Sequence, residues 1–131
     1  MDKIDKDIIQ ILKENGRLSW KEVGEKIHMT GQAVGLRVQH LQDSGKIKKF
    51  TISELFENLQ FITIFMNSTN FASFEQYVLQ YSEVVELHKI SGDGCYMIKS
   101  YFDKEQLNLF LSHILKFGRY RLNQSIIDLS K

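Results

Sequence analysis

Residues 19–41 read SWKEVGEKIHMTGQAVGLRVQHL, and this stretch decides the fold. Ser19 is a strong N-cap, and Glu22 three residues later completes a capping box. Val23 and Ile27 then share one helical face. Gly24 sits beside that face, where a missing side chain lets a second helix come close. His28-Met29 makes the turn, and Thr30 caps the next helix. Val34, Val38 and Leu41 give that helix its own apolar stripe. Two short capped helices with almost no turn predict a helix-turn-helix, whose second helix enters the DNA major groove. A helical hairpin in an all-α bundle shares the periodicity but needs neither the short helices nor the small residue at 24.

Composition bounds the rest. The chain has 131 residues, 43% hydrophobic and 25% charged, which describes a folded globular chain of one or two small domains. No apolar run is long enough to span a membrane, and MDKIDKD at the start is too acidic and polar for a signal peptide. The single cysteine, Cys95, makes no intramolecular disulfide, so the expected location is a reducing cytoplasm. No CxxC pair is present to build a structural zinc site. Net charge is +1, but residues 1–50 hold ten Lys/Arg against seven Asp/Glu, and the remainder seven against nine. The first part is the one suited to phosphate.

Outward from the central stretch, Ile4, Ile8, Ile11 and Leu12 mark a first helix. Asp2, Asp5 and Asp7 lie at its start, as the macrodipole favours. Gly16 is expected as its left-handed C-terminal residue, and Gly45 ends the third helix. Residues 46–52, KIKKFTI, are β-prone and basic, and predict a wing that touches the sugar-phosphate backbone. A winged helix-turn-helix domain is thus expected over 1–52, with a linker over 53–60.

From Phe61 the period becomes strand-like. Strands are predicted over 61–68, 84–90, 95–101 and 119–129. Helices are predicted after Thr69-Asn70, bearing Phe71, Phe74, Val78 and Tyr81, and after the Asp103/Gln106 cap, bearing Leu107, Phe110, Leu111 and Ile114. The order βαββαβ is a ferredoxin-like unit over 61–131, so the whole chain is α+β. Phe61 and Phe65 point to one face of the first strand, and Ile62, Ile64 and Met66 to the other. The second strand likewise sets Val85 and Leu87 against Val84 and Ile90. Two apolar faces imply a cover over the side without helices, most simply a second copy in a two-fold dimer.

The whole chain resembles the Lrp/AsnC (feast/famine) family of transcription regulators. The resemblance is carried by Asp2-x-x-Asp5, by Ile8, Ile11 and Leu12, by Gly16-Arg17-x-Ser19, by Thr30, by Arg37-Val38-x-x-Leu41, by Gly45-x-Ile47, and by the C-terminal βαββαβ order. It implies a homodimer that assembles further, commonly to an octamer, duplex DNA as partner, and tuning by a small effector, usually an amino acid. Candidate DNA contacts are Ser19, Thr30, Gly31, Gln32, Gly35, Leu36, Gln39 and His40, with Lys46, Lys48 and Lys49 on the wing. Gln reads adenine and Leu touches thymine methyls, so A·T-rich sites are expected. Small Gly31 and Gly35 would let the duplex come close. Arg37 is expected to be structural, paired with Asp5 or Asp7. His28 stands where the family turn usually has glycine.

The candidate effector turn is Gly92, Asp93, Gly94, Cys95 and Tyr96. Relatives commonly carry Gly-x-aromatic-Asp there; here Gly94 holds the aromatic position and Cys95 the aspartate position. Glycine-turn amides can still hold a carboxylate, and Asp93 is near, but the effector can differ from a simple amino acid. No hydrolase, zincin or P-loop motif is present, so no catalytic residue, metal or cofactor is assigned. Two other readings stay open: an architectural DNA-binding protein without an effector, and an enzyme subunit resembling the sirohaem decarboxylases, for which His88 would be the residue to examine.

Overall fold

The computed structural model describes residues 1–130; the expected end of the second domain at Lys131 lies just outside them. The chain divides into two compact units, Met1–Ser53 and the residues from Glu54 onward.

The first unit holds three helices: α1 (Lys3–Glu14), α2 (Trp20–Ile27) and α3 (Gly31–Asp43). Each begins on a side-chain cap. Asp2 accepts from the Asp5 N–H, Ser19 from Glu22, and Thr30 from Ala33. The capping box at Ser19/Glu22 is complete, with each side chain bonded to the other residue's backbone. The stripes converge on Ile8, Val23, Val34 and Val38, all essentially inaccessible to solvent, with Ile11, Leu12, Leu18, Ile27, Met29 and Ile47 around them.

Gly24 is where the turn into α3 folds back on α2. A Cβ there would lie 2.2 Å from the Met29 carbonyl oxygen, far inside van der Waals contact. His28 ends α2 in the left-handed region at φ 59°, ψ 46°, a conformation that costs a residue with a Cβ about 1 kcal/mol.

Two expectations for this unit are corrected. Gly16 does not take positive φ; α1 ends instead on Asn15, extended at φ −150°, whose side-chain oxygen accepts from the Arg17 N–H at 3.0 Å. Residues 46–52 form no strand. A lone β-prone segment needs a partner ladder, and among the described residues this one has none. It is fixed at two points only. The Ile47 N–H donates to the Leu41 carbonyl at 3.0 Å, and Phe50 packs against Trp20 with ring centroids 6.2 Å apart.

The second unit is a four-stranded antiparallel sheet in the order β2-β3-β1-β4. Its strands are β1 (Gln60–Met66), β2 (Val84–Lys89), β3 (Tyr96–Ser100) and β4 (Gly118–Gln124), with α4 (Phe71–Leu79) and α5 (Lys104–Ile114) between them. The helices cover one face, and Ile62, Ile64, Phe74, Val78, Tyr96, Ile98, Phe102, Phe110 and Ile114 are buried between the layers. Gln60 is buried among them and fully paired. Its amide donates to the Phe102 carbonyl at 2.8 Å, and its side-chain oxygen accepts from Ser100 Oγ at 2.8 Å and from the Phe102 N–H at 2.9 Å. This clamp ties the first residue of β1 to the end of β3.

The differences from the sequence reading are local. A bulge between Val84 and Glu86 shifts the register of β2. Val84 and Leu87 therefore both pack on the core while Val85 is exposed, opposite to strict alternation. The last strand stops at Gln124 rather than 129, because its only partner, β1, runs out at Gln60. The Ser125 N–H makes one more bond, to the Leu59 carbonyl. Helix α4 has no side-chain cap from Asn70; Ser68 Oγ accepts from the Asn70 N–H at 2.9 Å instead. Tyr81 lies beyond α4 but still packs edge-on against Phe102 and Phe110.

The face of the sheet without helices carries Phe61, Thr63 and Phe65 from β1, which lie beside Lys99, Met97, Asn123, Arg121 and Arg119 in register. Phe61 is 37% exposed. The Arg119 and Arg121 guanidiniums sit 5.6 and 5.4 Å from the Phe65 ring centroid.

Candidate nucleic-acid interface and effector turn

Helix α3 presents two unlike sides. Its inner side buries Val34, Val38 and Leu41. Gly31 and Gly35 belong to the packed side too: a Cβ on Gly31 would meet the Lys21 backbone nitrogen at 3.0 Å, and one on Gly35 would meet the Trp20 ring at 3.1 Å. Their smallness thus serves the approach of α2 to α3, not that of a duplex, which corrects the sequence expectation.

The outer side carries Gln32, Leu36, Gln39 and His40, all exposed. Leu36 is 60% exposed and lines a shallow depression with Thr30, Gln32 and Ala33. Gln39 is not wholly free, since its amide donates to Asp43 Oδ1 at 3.0 Å one turn on. The hydroxyl oxygens of Ser19 and Thr30 accept the cap bonds from the Glu22 and Ala33 N–H groups. Lys46, Lys48 and Lys49 are exposed on the segment that follows α3.

Arg37 does not join the outer side. Its Nη1 donates to both oxygens of Asp2, at 3.0 and 2.8 Å, and to Asp5 Oδ1 at 3.2 Å. Asp5 was among the expected partners. Asp7 was not the other: it takes Lys3 at 3.0 Å, since Asp2 and Asp5, three apart, share the helix face toward α3 and Asp7 does not. Sequence reasoning missed Asp2 as a partner of Arg37, although it had placed Asp2 with Asp5 and Asp7 at the start of α1. The Arg37 hydrogen bonds, with the Asp5 N–H, hold the Asp2 carboxyl below its usual range, and the two carboxylates raise Arg37 further. The only Lys or Arg within α3 is thereby committed to holding α1 against α3.

In the second unit the candidate turn lies between β2 and β3. Gly92 and Gly94 both take positive φ, at 94° and 96°. Gly94 is also pressed onto the sheet: a Cβ there would lie 2.6 Å from Thr63 Cγ2. The Cys95 N–H donates to the Ile64 carbonyl at 2.7 Å, and its carbonyl accepts from the Ile90 N–H at 3.0 Å. The loop is therefore stitched to β1, with Cys95 half-buried and Asp93 exposed beyond it.

Tyr96 departs from this group. Its ring is buried 4.6 Å from that of Phe74, and its hydroxyl donates to Glu75. Lys89 approaches the same carboxylate at 3.3 Å. Burial pushes the phenol up, and the Tyr96 and Lys89 bonds hold Glu75 below its usual range. Tyr96 thus anchors the start of β3, while the exposed part of the turn is Gly92 and Asp93, with Gly94 half-buried against β1. His88 is exposed on β2 and bonded to Glu86 at 3.0 Å. Among the described residues no three His, Cys, Asp or Glu side chains are grouped as a metal site would need, and no helix is long and apolar enough to cross a membrane.

Comparison with known proteins agrees with both units. Residues 1–42 match the AsnC-type helix-turn-helix domain, and residues 59–126 match the Lrp/AsnC ligand binding domain. The chain is 42% identical to the HTH-type transcriptional regulator LrpB of Bacillus subtilis, with all of this chain and 92% of that protein covered. It is 33% identical to LrpA of the same organism, over 94% of this chain and 96% of that one. Among solved structures, LrpC of Bacillus subtilis superimposes with a TM-score of 0.87 at 24% identity, covering 99% of this chain and 97% of the other. A transcriptional regulator of Neisseria meningitidis in complex with L-Met superimposes at 0.83 with 21% identity, covering 100% and 93%. The capped helix pair and the βαββαβ sheet are each matched by a family domain, and the chain belongs to the Lrp/AsnC family of transcription regulators.

Proposed function

We propose that this chain is a duplex-DNA-binding transcription regulator that works as a homodimer and answers to a small carboxylate-bearing effector. The observation that carries the reading is α3 itself. One side is locked into the unit by Val34, Val38 and Arg37, and the other is exposed beside three free-standing lysines. An exposed outer side flanked by cations is what a major-groove helix needs. The candidate contacts are Gln32, Leu36, Gln39 and His40 toward bases, and Lys46, Lys48 and Lys49 toward phosphate.

The sheet face bearing Phe61, Thr63, Phe65 and Met97 is the proposed dimer surface. A second copy would bury the exposed Phe61. The effector reading rests on the family domain matched over 59–126, and on the Neisseria regulator whose structure holds L-Met. Backbone amides of the Gly92–Gly94 turn would receive a carboxylate. Asp93 is the available acidic side chain for an amino group, since Cys95 fills the position that carries aspartate in relatives.

Fluorescence anisotropy of the full chain on duplex DNA, over a salt series and with each amino acid added, tests this. Binding that weakens steeply with salt and shifts with one amino acid supports the regulator. Salt-dependent binding indifferent to every amino acid favours the architectural reading, for which the loss of the aspartate at 95 and the sealing of Gly94 onto Thr63 both speak. The enzyme reading gains no support: the relatives matched are named transcriptional regulators, and His88 is engaged by Glu86.

A further inference from the structure

We propose that α3 reads thymine by its C5-methyl group, through Leu36 and Ala33, with Gln32 beside them taking adenine. The inference rests on the reading that α3 enters the major groove. It starts from an anomaly in exposure. Leu36 is 60% exposed in the middle of an otherwise polar outer surface, next to Ala33 and over a shallow depression floored by Thr30 and Gln32. A single exposed leucine is unremarkable on most helices. Here it occupies the centre of the only side of α3 that the fold leaves open.

The neighbouring groups narrow the ligand. Guanine is most often read by an Arg or Lys fork, and α3 has no such group to offer. Arg37 is tied to Asp2 and Asp5 on the opposite side. The Gln39 amide is tied to Asp43. Charge for the phosphates lies outside the helix, at Lys46, Lys48 and Lys49. Apart from His40 toward the C-terminal end of α3, the remaining reading surface is an apolar knob, a methyl and one amide. In the major groove the thymine C5-methyl is the group that an apolar knob matches, and the N6/N7 edge of adenine is what an amide matches. The surface therefore fits A·T pairs in which the thymine methyl faces Leu36.

The test removes that methyl and nothing else. Full-length protein is titrated by anisotropy onto an alternating A·T duplex, the same duplex with deoxyuridine in place of thymidine, and an alternating G·C duplex. The expected order is A·T, then A·U, then G·C, with affinity falling about fourfold for each thymine methyl taken away from Leu36 or Ala33. Leu36→Ala, on the exposed side and expected to leave the circular dichroism unchanged, should narrow the gap between the A·T and A·U duplexes to the part that Ala33 supplies. Equal wild-type affinity for those two, preference for G·C, or a Leu36→Ala variant that discriminates as strongly as the wild type would each overturn the methyl readout while leaving DNA binding intact. Absence of binding to all three at low salt would overturn the DNA reading itself.

Discussion

The two units hold their functional surfaces by opposite means. In the first, the outer side of α3 is held in place mainly by local devices, a cap at each helix start and one close approach at Gly24, with a single long-range clamp from Arg37 to α1. Its core is four fully buried aliphatic residues with half-buried neighbours. In the second, the turn at Gly92–Gly94 is held by pairings between residues far apart in sequence, Cys95 with Ile64 and Gly94 with Thr63, over a core more than twice as large. A surface held by a small core and local caps is sensitive to single backbone defects. One held by a sheet is sensitive to loss of buried polar pairing.

The chain carries its own reporters for this contrast. Its one tryptophan is Trp20 in the first unit, and its five tyrosines all lie in the second. The largest expected effect is Gly24→Ala, which forces a Cβ into the Met29 carbonyl. It should cost about 3 kcal/mol and move the urea transition seen by Trp20 fluorescence, leaving that seen by tyrosine in place. Equal movement of both would break the division into two modes. Next comes Gln60→Leu, which keeps the volume but orphans the Ser100 hydroxyl and the Phe102 N–H. It should cost about 2 kcal/mol in the tyrosine-reported transition.

A smaller effect is set by pH. The folded Asp2 carboxyl lies below its ordinary value of 3.8, so its stabilising contribution is complete above that value. It is lost as pH falls through the lower, folded value. Acid titration followed by Trp20 should therefore weaken the wild type more than Asp2→Asn, whose cap survives without the charge. Smallest, and of opposite sign, is His28→Gly. Relief of the left-handed strain, less the entropy of a glycine, should raise the Trp20-reported stability by about 0.5 kcal/mol.

The contrast also explains what the sequence made legible. Caps are written within four residues, so Ser19/Glu22, Thr30 and Asp103/Gln106 could be read directly, and His28 stood out as a residue in a glycine's place. The sheet order followed from element order. Hidden were the features that depend on a partner elsewhere in the chain. Asp2 as the mate of Arg37 needs α1 folded back on α3. The inward orientation of Gly31 and Gly35 needs α2 beside them. The bulge at Val84/Glu86 and the end of β4 at Gln124 are decided by neighbouring strands. Residues 46–52 have the composition of a strand, but composition supplies no ladder. In the candidate sites, the same limit misplaced Tyr96, whose position in the turn motif says nothing of the Glu75 that draws it inward.

The outer side of α3, with the lysines after it, is the surface proposed to make this chain a sequence-reading DNA-binding protein. Repeated in vitro selection by the full-length protein from a pool of random duplexes tests it most directly. The expected result is enrichment of A·T-rich half-sites in two-fold arrangement, spaced by whole turns of the double helix. A selected pool no different in sequence from its starting material would contradict it.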